Sequence, residues 1–515
     1  DRSQETRSVN AIDYGVIAVY ALIVVYIGWL SAQRTHDPDD LFLASRGLGF
    51  GVVGLSLFAS NISSTTLIGL SGAAYESGIA VVNYEWMAGL VLLFAAFFLV
   101  PVYLRGKLKT VPEFVGQRFG SFAQKYVAAL MILLSILVDT AGSLFAGALV
   151  IQVFIPGIDM MATVLVLALL AGVYTITGGL RAVMLTDALQ ALILLMSSVV
   201  IAALVFAQFD FSWPNMRAAI PAENLSLIRP RDDPNMPWTG LLTGVPILGL
   251  YYWTMNHYIA QRFFAARDLP SAQRGALLGA ALKLTPLFIM VLPGALAIEM
   301  FPDLARGDEV YPTLIRELLP AGLKGLAIAG IIAAIMSTID STINAASAMI
   351  SYDFVGLDRQ TRQSPKRRLF EARLITGGLL LLAVVWAPVI ESFPGLFNYL
   401  QQMFAIAAPP VAAVILLAAL KPGFGDSRAL TAMISGHVLA MVLALSSNYG
   451  LWPLHFLETA GVVFVFSLVV MASGGYTHML AEAGGRESWR QADPVLKGLS
   501  ALIGLAIVVM LIAFR

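Results

Sequence analysis

The sequence predicts an all-α integral membrane protein of about fourteen transmembrane helices, and three observations carry that expectation. Of 515 residues, 58% are apolar and only 12% charged, against roughly 45–50% and 25% in a soluble domain. Mean hydropathy is +0.80. Apolar runs of about 20 residues, long enough to cross a hydrocarbon core of about 30 Å, recur from end to end.

In chain order the runs are 12–32, 50–72, 80–103, 122–155, 159–178, 181–207, 238–260, 275–300, 320–352, 372–392, 396–420, 428–447, 454–473 and 496–514. The first is too long for the apolar core of a cleaved signal. Short Gly/Pro turns such as Pro156-Gly157 and Thr177-Gly178-Gly179 join neighbours, and the longest connection is 208–237. Residues 1–515 therefore read as one transmembrane domain in a lipid bilayer. The absence of Cys excludes disulfides and thiolate chemistry. Equal numbers of basic and acidic residues, 32 each, imply no nucleic-acid partner.

An even number of spans puts both termini on one side. Lys and Arg number 22 in the segments after odd-numbered spans and nine in the others, with Lys283 inside a span. The positive-inside rule then places both termini outside the cytoplasm, and the clusters Arg105 to Lys125 and Arg359 to Arg373 within it.

Polar groups inside spans are costly and mark function. Ala59-Ser60-Asn61-Ile62-Ser63-Ser64-Thr65-Thr66 interrupts the second run. Its hydroxyls and amide compete with helical bonding, and a broken helix frees carbonyls for a cation. Helix packing by small polar residues is the alternative. In the ninth run, Ala334, Ser337, Thr338 and Ser341 share one helical stripe. Asp340 stands about 60° round the helix from Ser337, so this face offers hard oxygens to a monovalent cation.

Glu85, Asp187 and Lys283 are charges at intramembrane positions. Each needs a partner or a water-filled cavity, and Glu85 and Lys283 are the candidate pair; a buried bridge that merely fixes helix register is the alternative. Tyr251-Tyr252-Trp253 with Asn256, and Phe397-Asn398-Tyr399 with Gln401 and Gln402, set flat rings beside amides. That chemistry suits a polyhydroxylated ligand, unless the rings form an interfacial belt. No H-E-x-x-H, G-x-S-x-G or P-loop is present and the five His are scattered, so an enzyme is not expected. His257 reads as a helix-end residue. Polar clusters spread over many spans fit an alternating-access carrier.

The sequence resembles the sodium/solute symporter family, and within it the sodium–sugar cotransporter branch. The matching motifs are Ser56-Leu57-Phe58-Ala59-Ser60-Asn61-Ile62-Ser63, Tyr84-Glu85-Trp86-Met87, Val111-Pro112-Glu113-Phe114, Tyr174-Thr175-Ile176-Thr177-Gly178-Gly179-Leu180 with Thr186-Asp187, Tyr251-Tyr252-Trp253, Gln261-Arg262, Leu282-Lys283, Val291-Leu292-Pro293-Gly294 and Met336-Ser337-Thr338. The resemblance implies a five-plus-five inverted-repeat core in which the first helix of each repeat is broken. The first repeat would span 50–207 and the second 238–420, with an extra N-terminal helix at 12–32 and three extra C-terminal helices in 428–514.

It implies a sodium site from the Ala59, Ile62 and Ala334 carbonyls and the Ser337 and Thr338 hydroxyls. Some relatives bind a second sodium at positions matching Asp187, Ser337, Asp340 and Ser341; the carboxylate at Asp340 departs from sugar-transporting members and leaves ion count and proton use open. Substrate contacts fall on Asn61, Glu85, Lys283 and Gln401, and gates on Tyr84, Tyr252, Trp253 and Phe397. Thr66, Ala88 and Gly249 stand where sugar-transporting relatives carry Gln, Ser and Asn, which implies a larger and less polar pocket.

The implied function is sodium-coupled symport of a sugar or polyol in the cell (inner) membrane, by a monomeric functional unit that takes Na+ as its cofactor. The alternatives are sodium- or proton-coupled symport of a carboxylate, amino acid or other solute, in which Lys283 would pair with the acid, and a transporter-like sensor without turnover.

Overall fold

The computed structural model describes residues 10–32, 46–106, 108–154, 157–356, 364–393, 395–421, 423–475, 489–490 and 492–514. Every named element among them is helical. A membrane imposes this, because a backbone in hydrocarbon must satisfy its own donors and acceptors. Nine helices among the described residues are long and apolar enough to cross a bilayer, or ten when a bent pair is taken as one span.

Helix α1 is Ala11–Ala32. Helices α2 (Phe50–Asn61) and α3 (Ser64–Ser77) form the bent pair and meet at 50°. Next come α4 (Asn83–Phe98), then α5 (Ser121–Leu134) and α6 (Ala141–Phe154), joined through a widened π turn at Ser135–Thr140. Helix α7 is Met160–Ala207. Helix α8 (Gly244–Leu250) runs into a π turn at Tyr251–Met255, the chain becomes extended at Asn256, and α9 (His257–Phe264) restarts. The order continues with α10 (Leu269–Leu282), α11 (Leu292–Met300), α12 (Leu323–Met349), α13 (Pro365–Trp386), α14 (Leu396–Leu420), α15 (Ala429–Asn448), α16 (Phe456–Ala472) and α17 (Pro494–Ala513).

The expectation of about fourteen spans is met only in its coarser form. The additional runs correspond to three shorter apolar helices, Ala11–Ile27, Met160–Gly172 and Phe456–Ala472, and to the segmented stretch around 238–264. The 238–260 run breaks because Asn256 leaves helical geometry (φ −61°, ψ 121°). The 275–300 run pauses after Lys283, where Pro286 offers no backbone N–H. The turn expected at Thr177-Gly178-Gly179 is absent, since the backbone is helical from Met160 to Ala207. Two glycines lower helix propensity, but in lipid they do not offset the loss of backbone bonds. The side chains of 173–179 and 181, and residues Pro156, Arg359 and Arg362, lie outside the described residues.

Burial ranks the helices by their distance from the centre. The α12 span is 83% buried within the protein and the α17 span 11%, so α12 is the axis and α17 faces lipid. Helix α7 packs on α12 and α1, α2 packs on α10 and α7, and α3 on α11. Small residues permit these approaches. A Cβ on Gly294 would lie 2.5 Å from the Ser71 carbonyl oxygen, and one on Gly275 would lie 2.7 Å from the Val53 side chain. The 208–237 connection folds over the corner between α3 and α4. Asn83 donates to the Leu227 carbonyl at 2.8 Å, and Gly78 (φ +84°) passes so close to Asn224 that a Cβ would collide with it at 2.3 Å.

Candidate substrate and sodium site

The break between α2 and α3 is built by its sequence. Ending α2 at Asn61 removes the carbonyls of its last turn from the helical ladder. The Ile62 N–H returns to the Phe58 carbonyl at 2.8 Å, and the Thr66 hydroxyl donates to the Asn61 carbonyl. Thr66 is therefore turned back onto the break. Helix α12 packs against both halves, with Ala334, Ser337 and Thr338 at 3% exposure or less. The Thr338 hydroxyl donates to the Ala334 carbonyl at 3.0 Å, and the Ser337 hydroxyl donates to Asp187. A hydroxyl that gives away its proton keeps its lone pairs for a cation, so these bonds leave the oxygens suited to sodium.

Asp187 has a partner that was quoted in the sequence but given no role. The Arg262 guanidinium on α9 donates to the Asp187 carboxylate at 3.0 Å and to the Ser341 hydroxyl at 2.6 Å. Both side chains of this ion pair are fully buried. Ser56 donates to the same carboxylate at 2.7 Å, and Arg262 Nε reaches the Ser56 hydroxyl at 3.2 Å. Of the four residues assigned to a second sodium, Asp187 and Ser341 are thus held by a protein cation. Asp340 is 1% exposed and lies within electrostatic reach of Tyr20 on α1. The signal for Arg262 was available in the sequence, as an arginine just past an apolar run.

The solute cavity lies beside the break. Its empty space, open solvent at the mouth included, is about 770 Å³. Asn61, Thr66, Glu85, Gly249 and Gln401 line it, as do Tyr84, Tyr252, Trp253 and Phe397. Thr338 of the sodium set lines the same space. Two expected contacts stand behind this surface. Lys283 is fully buried, bonds Glu85 at 2.5 Å and also donates to the Asn61 side chain. Ala88 is buried at 1% exposure and does not line the cavity. The Lys283 ammonium also sits 4.7 Å from the Trp253 ring centre.

Aromatic rings make up much of the cavity wall. Tyr84 and Phe397 meet edge to face, 5.2 Å between centres, and both line this cavity and an adjoining vestibule. In the same lining, the Tyr252 and Tyr258 hydroxyls are bonded to each other, and Tyr252 packs edge-on against Phe404. The vestibule is lined by Glu76, Arg229, Asp233, Asp308 and Gln401 among others. Burial pushes the Asp308 carboxyl up to about 6. Burial works against ionisation of Asp233 too, but the Met236 and Asn235 N–H groups and Arg229 hold it below the usual carboxylate range.

One further side chain lines the cavity that the sequence reading passed over: Asp139, in the π turn between α5 and α6, is 6% exposed. Its signal was an acid in mid-run, within a stretch counted as apolar.

A broken helix packed against the hydroxyl-bearing α12, beside a cavity lined by amide, carboxyl and aromatic side chains, is an arrangement suited to a membrane carrier. A sequence profile of the Sodium:solute symporter family matches residues 41–436. The chain is 31% identical to the sodium/glucose cotransporter 1 of Oryctolagus cuniculus over 520 residues, covering 90% of this chain and 78% of that one. It is 33% identical to the Homo sapiens sodium/myo-inositol cotransporter 2, over 84% of this chain and 69% of that one. Its fold is similar to a solved Na+-coupled sialic acid symporter, with a TM-score of 0.77, 20% identity, and coverage of 90% of this chain and 97% of the other. A nucleobase-cation-symport-1 family transporter is similar at a TM-score of 0.55, 14% identity, and coverage of 90% and 98%. The chain belongs to the sodium:solute symporter family. It is a multi-pass membrane transporter that couples a solute to sodium as co-substrate, and not an enzyme.

Proposed function

We propose that the chain moves a sugar or polyol with sodium by alternating access. The observation that carries this reading is that one broken segment serves both ligands. Asn61 lines the solute cavity and stands between Ala59 and Ile62, whose carbonyls are assigned to sodium with Ala334, Ser337 and Thr338. Sodium then orders the segment that presents Asn61, and a solute that engages Asn61 holds the segment for sodium. Such shared ordering is a coupling free energy, typically 1–3 kcal/mol.

Asn61, Glu85 and Gln401 offer amide and carboxylate groups to hydroxyls, while Tyr252 and Phe397 offer flat faces to C–H surfaces. The relatives' names, glucose and myo-inositol cotransporters, agree with that chemistry. A carboxylate solute is less well served, because Lys283 is already paired with Glu85. With Asp187 and Ser341 on Arg262, we assign one sodium per cycle. Tyr84 and Phe397 form the door to the vestibule, and Tyr252 with Trp253 the opposite door. The helix breaks near 61–63 and at Asn256 fit the first helices of two repeats, 50–207 and 238–420, flanked by 12–32 and by 428–514. The count of basic residues favours a cell (inner) membrane orientation with both termini outside the cytoplasm, which puts the vestibule outside.

The test is uptake into proteoliposomes of radiolabelled glucose, galactose and myo-inositol under an inward sodium gradient, with potassium and proton gradients as controls. Sodium-dependent uptake of at least one, competed by polyols and not by simple carboxylates, is the expected result. Sodium-driven uptake of acids alone would overturn it.

A further inference from the structure

The solute cavity is lined by two acidic side chains and, among the described residues, by no basic one. Glu85 and Asp139 line it, and both are carboxylates. The ammonium behind its wall, Lys283, is spent on Glu85 and Asn61. Asp139 is 6% exposed, and its Oδ2 atom is buried with no hydrogen-bond partner among the described residues. The Asn256 amide neighbours the carboxyl, and the phenols of Tyr252 and Tyr258 lie within its electrostatic reach. A buried acid with no cation beside it is costly to ionise, and an ammonium brought by a ligand removes that cost. The surroundings fit one kind of completing group. Tyr252, Tyr258 and Phe404 line the same space, and an anion beside aromatic faces is the setting in which an ammonium is bound.

We propose that Asp139 is a specificity-determining residue that receives a protonated amine on the solute, so that the preferred substrate is an amine-bearing sugar or polyol. This rests on the sugar or polyol reading above and narrows it. Hydroxyls of the solute still meet Asn61, Glu85 and Gln401, and the amine is directed at the Asp139 carboxyl group that lines the cavity. Neither Arg262 nor Lys283 competes for it, since each is held by another carboxylate.

The experiment compares 2-amino-2-deoxyglucose with glucose in the same proteoliposomes, at saturating sodium and at a pH where the amine is protonated. The wild-type chain is expected to favour the amine by roughly tenfold or more in kcat/KM, as a buried charge-assisted bond would give. Asp139→Asn should bring the amine-to-glucose ratio of kcat/KM to about one, whatever the glucose rate itself becomes, and Asp139→Glu should restore part of the ratio. The ratio is internal to each preparation, so loss of folded protein does not imitate the result. No wild-type preference for the amine, with sodium-driven glucose uptake intact, overturns this inference and leaves the broader reading standing. An Asp139→Asn protein whose amine preference is unchanged, or whose only change is its sodium requirement, also overturns it. Absence of sodium-driven uptake of either compound marks failure of the broader reading instead.

Discussion

Two buried ion pairs touch the same broken helix, one through Ser56 and the other through Asn61, and they are built for different work. Arg262 and Asp187 are both fully buried, and Ser56, Ser337 and Ser341 take up their remaining bonding capacity. Neither residue lines the solute cavity. Lys283 and Glu85 are also close, at 2.5 Å, but Glu85 faces the cavity with acceptor capacity to spare. The difference teaches that burial and pairing do not by themselves mark a binding site. What distinguishes the second pair is an unspent acceptor directed at empty space.

The comparison breaks most sharply by removing one member of the closed pair. Arg262→Ala leaves Asp187 buried and unpaired, a loss of roughly 3–5 kcal/mol. It should abolish folded protein, read as a collapsed monodisperse peak and melting transition in detergent. Recovery of folding in the Arg262→Met, Asp187→Asn double variant would confirm that the unpaired charge is the cause. Normal folding of Arg262→Ala would instead make the pair dispensable. Glu85→Gln, in the open pair, keeps an oxygen acceptor on Lys283 but leaves its charge unpaired, so the melting temperature should fall, and solute uptake should drop by roughly tenfold or more, the loss of a charged hydrogen bond of about 1.5–3 kcal/mol.

Smaller effects sharpen the line between ion site and solute site. Ser337→Ala should raise the sodium concentration for half-maximal uptake several-fold with little change in solute KM at saturating sodium; an unchanged sodium dependence would remove Ser337 from the site. Gln401→Ala should raise solute KM by about fivefold, as for one neutral hydrogen bond of about 1 kcal/mol, and leave the melting temperature within error.

The smallest effect belongs to the vestibule. Burial raises Asp308 from 3.8 to about 6, so the folded protein binds more protons than the unfolded chain between those values. Stability from this group is present below the lower value and lost as pH rises through the upper one. Asp308→Asn should flatten the fall in melting temperature between pH 4 and 6; an identical pH profile would assign that slope elsewhere.

Much of this was legible in the sequence, for stated physical reasons. The run Ser60 to Thr66 announced a break because side chains that bond backbone compete with a helix. Glu85 and Lys283 announced each other because neither is tolerated alone in lipid. Arg262 was not read as the partner of Asp187, since they are 75 residues apart and nothing local records which helices meet. Asp139 escaped because hydropathy averaged over a window dilutes one acid among apolar neighbours. The expected count of about fourteen spans holds only in its coarser form, because composition shows how apolar a run is but not that Ala11–Ile27, Met160–Gly172 and Phe456–Ala472 are short or that Asn256 interrupts the seventh run.

The central claim is that one broken segment binds sodium and solute together. Equilibrium solute binding to the purified protein, measured in saturating sodium and again with potassium in its place, tests it most directly. The account predicts at least fivefold tighter binding in sodium, the low end of a 1–3 kcal/mol coupling, and loss of that difference in Ser337→Ala. Equal affinity in the two salts would contradict it.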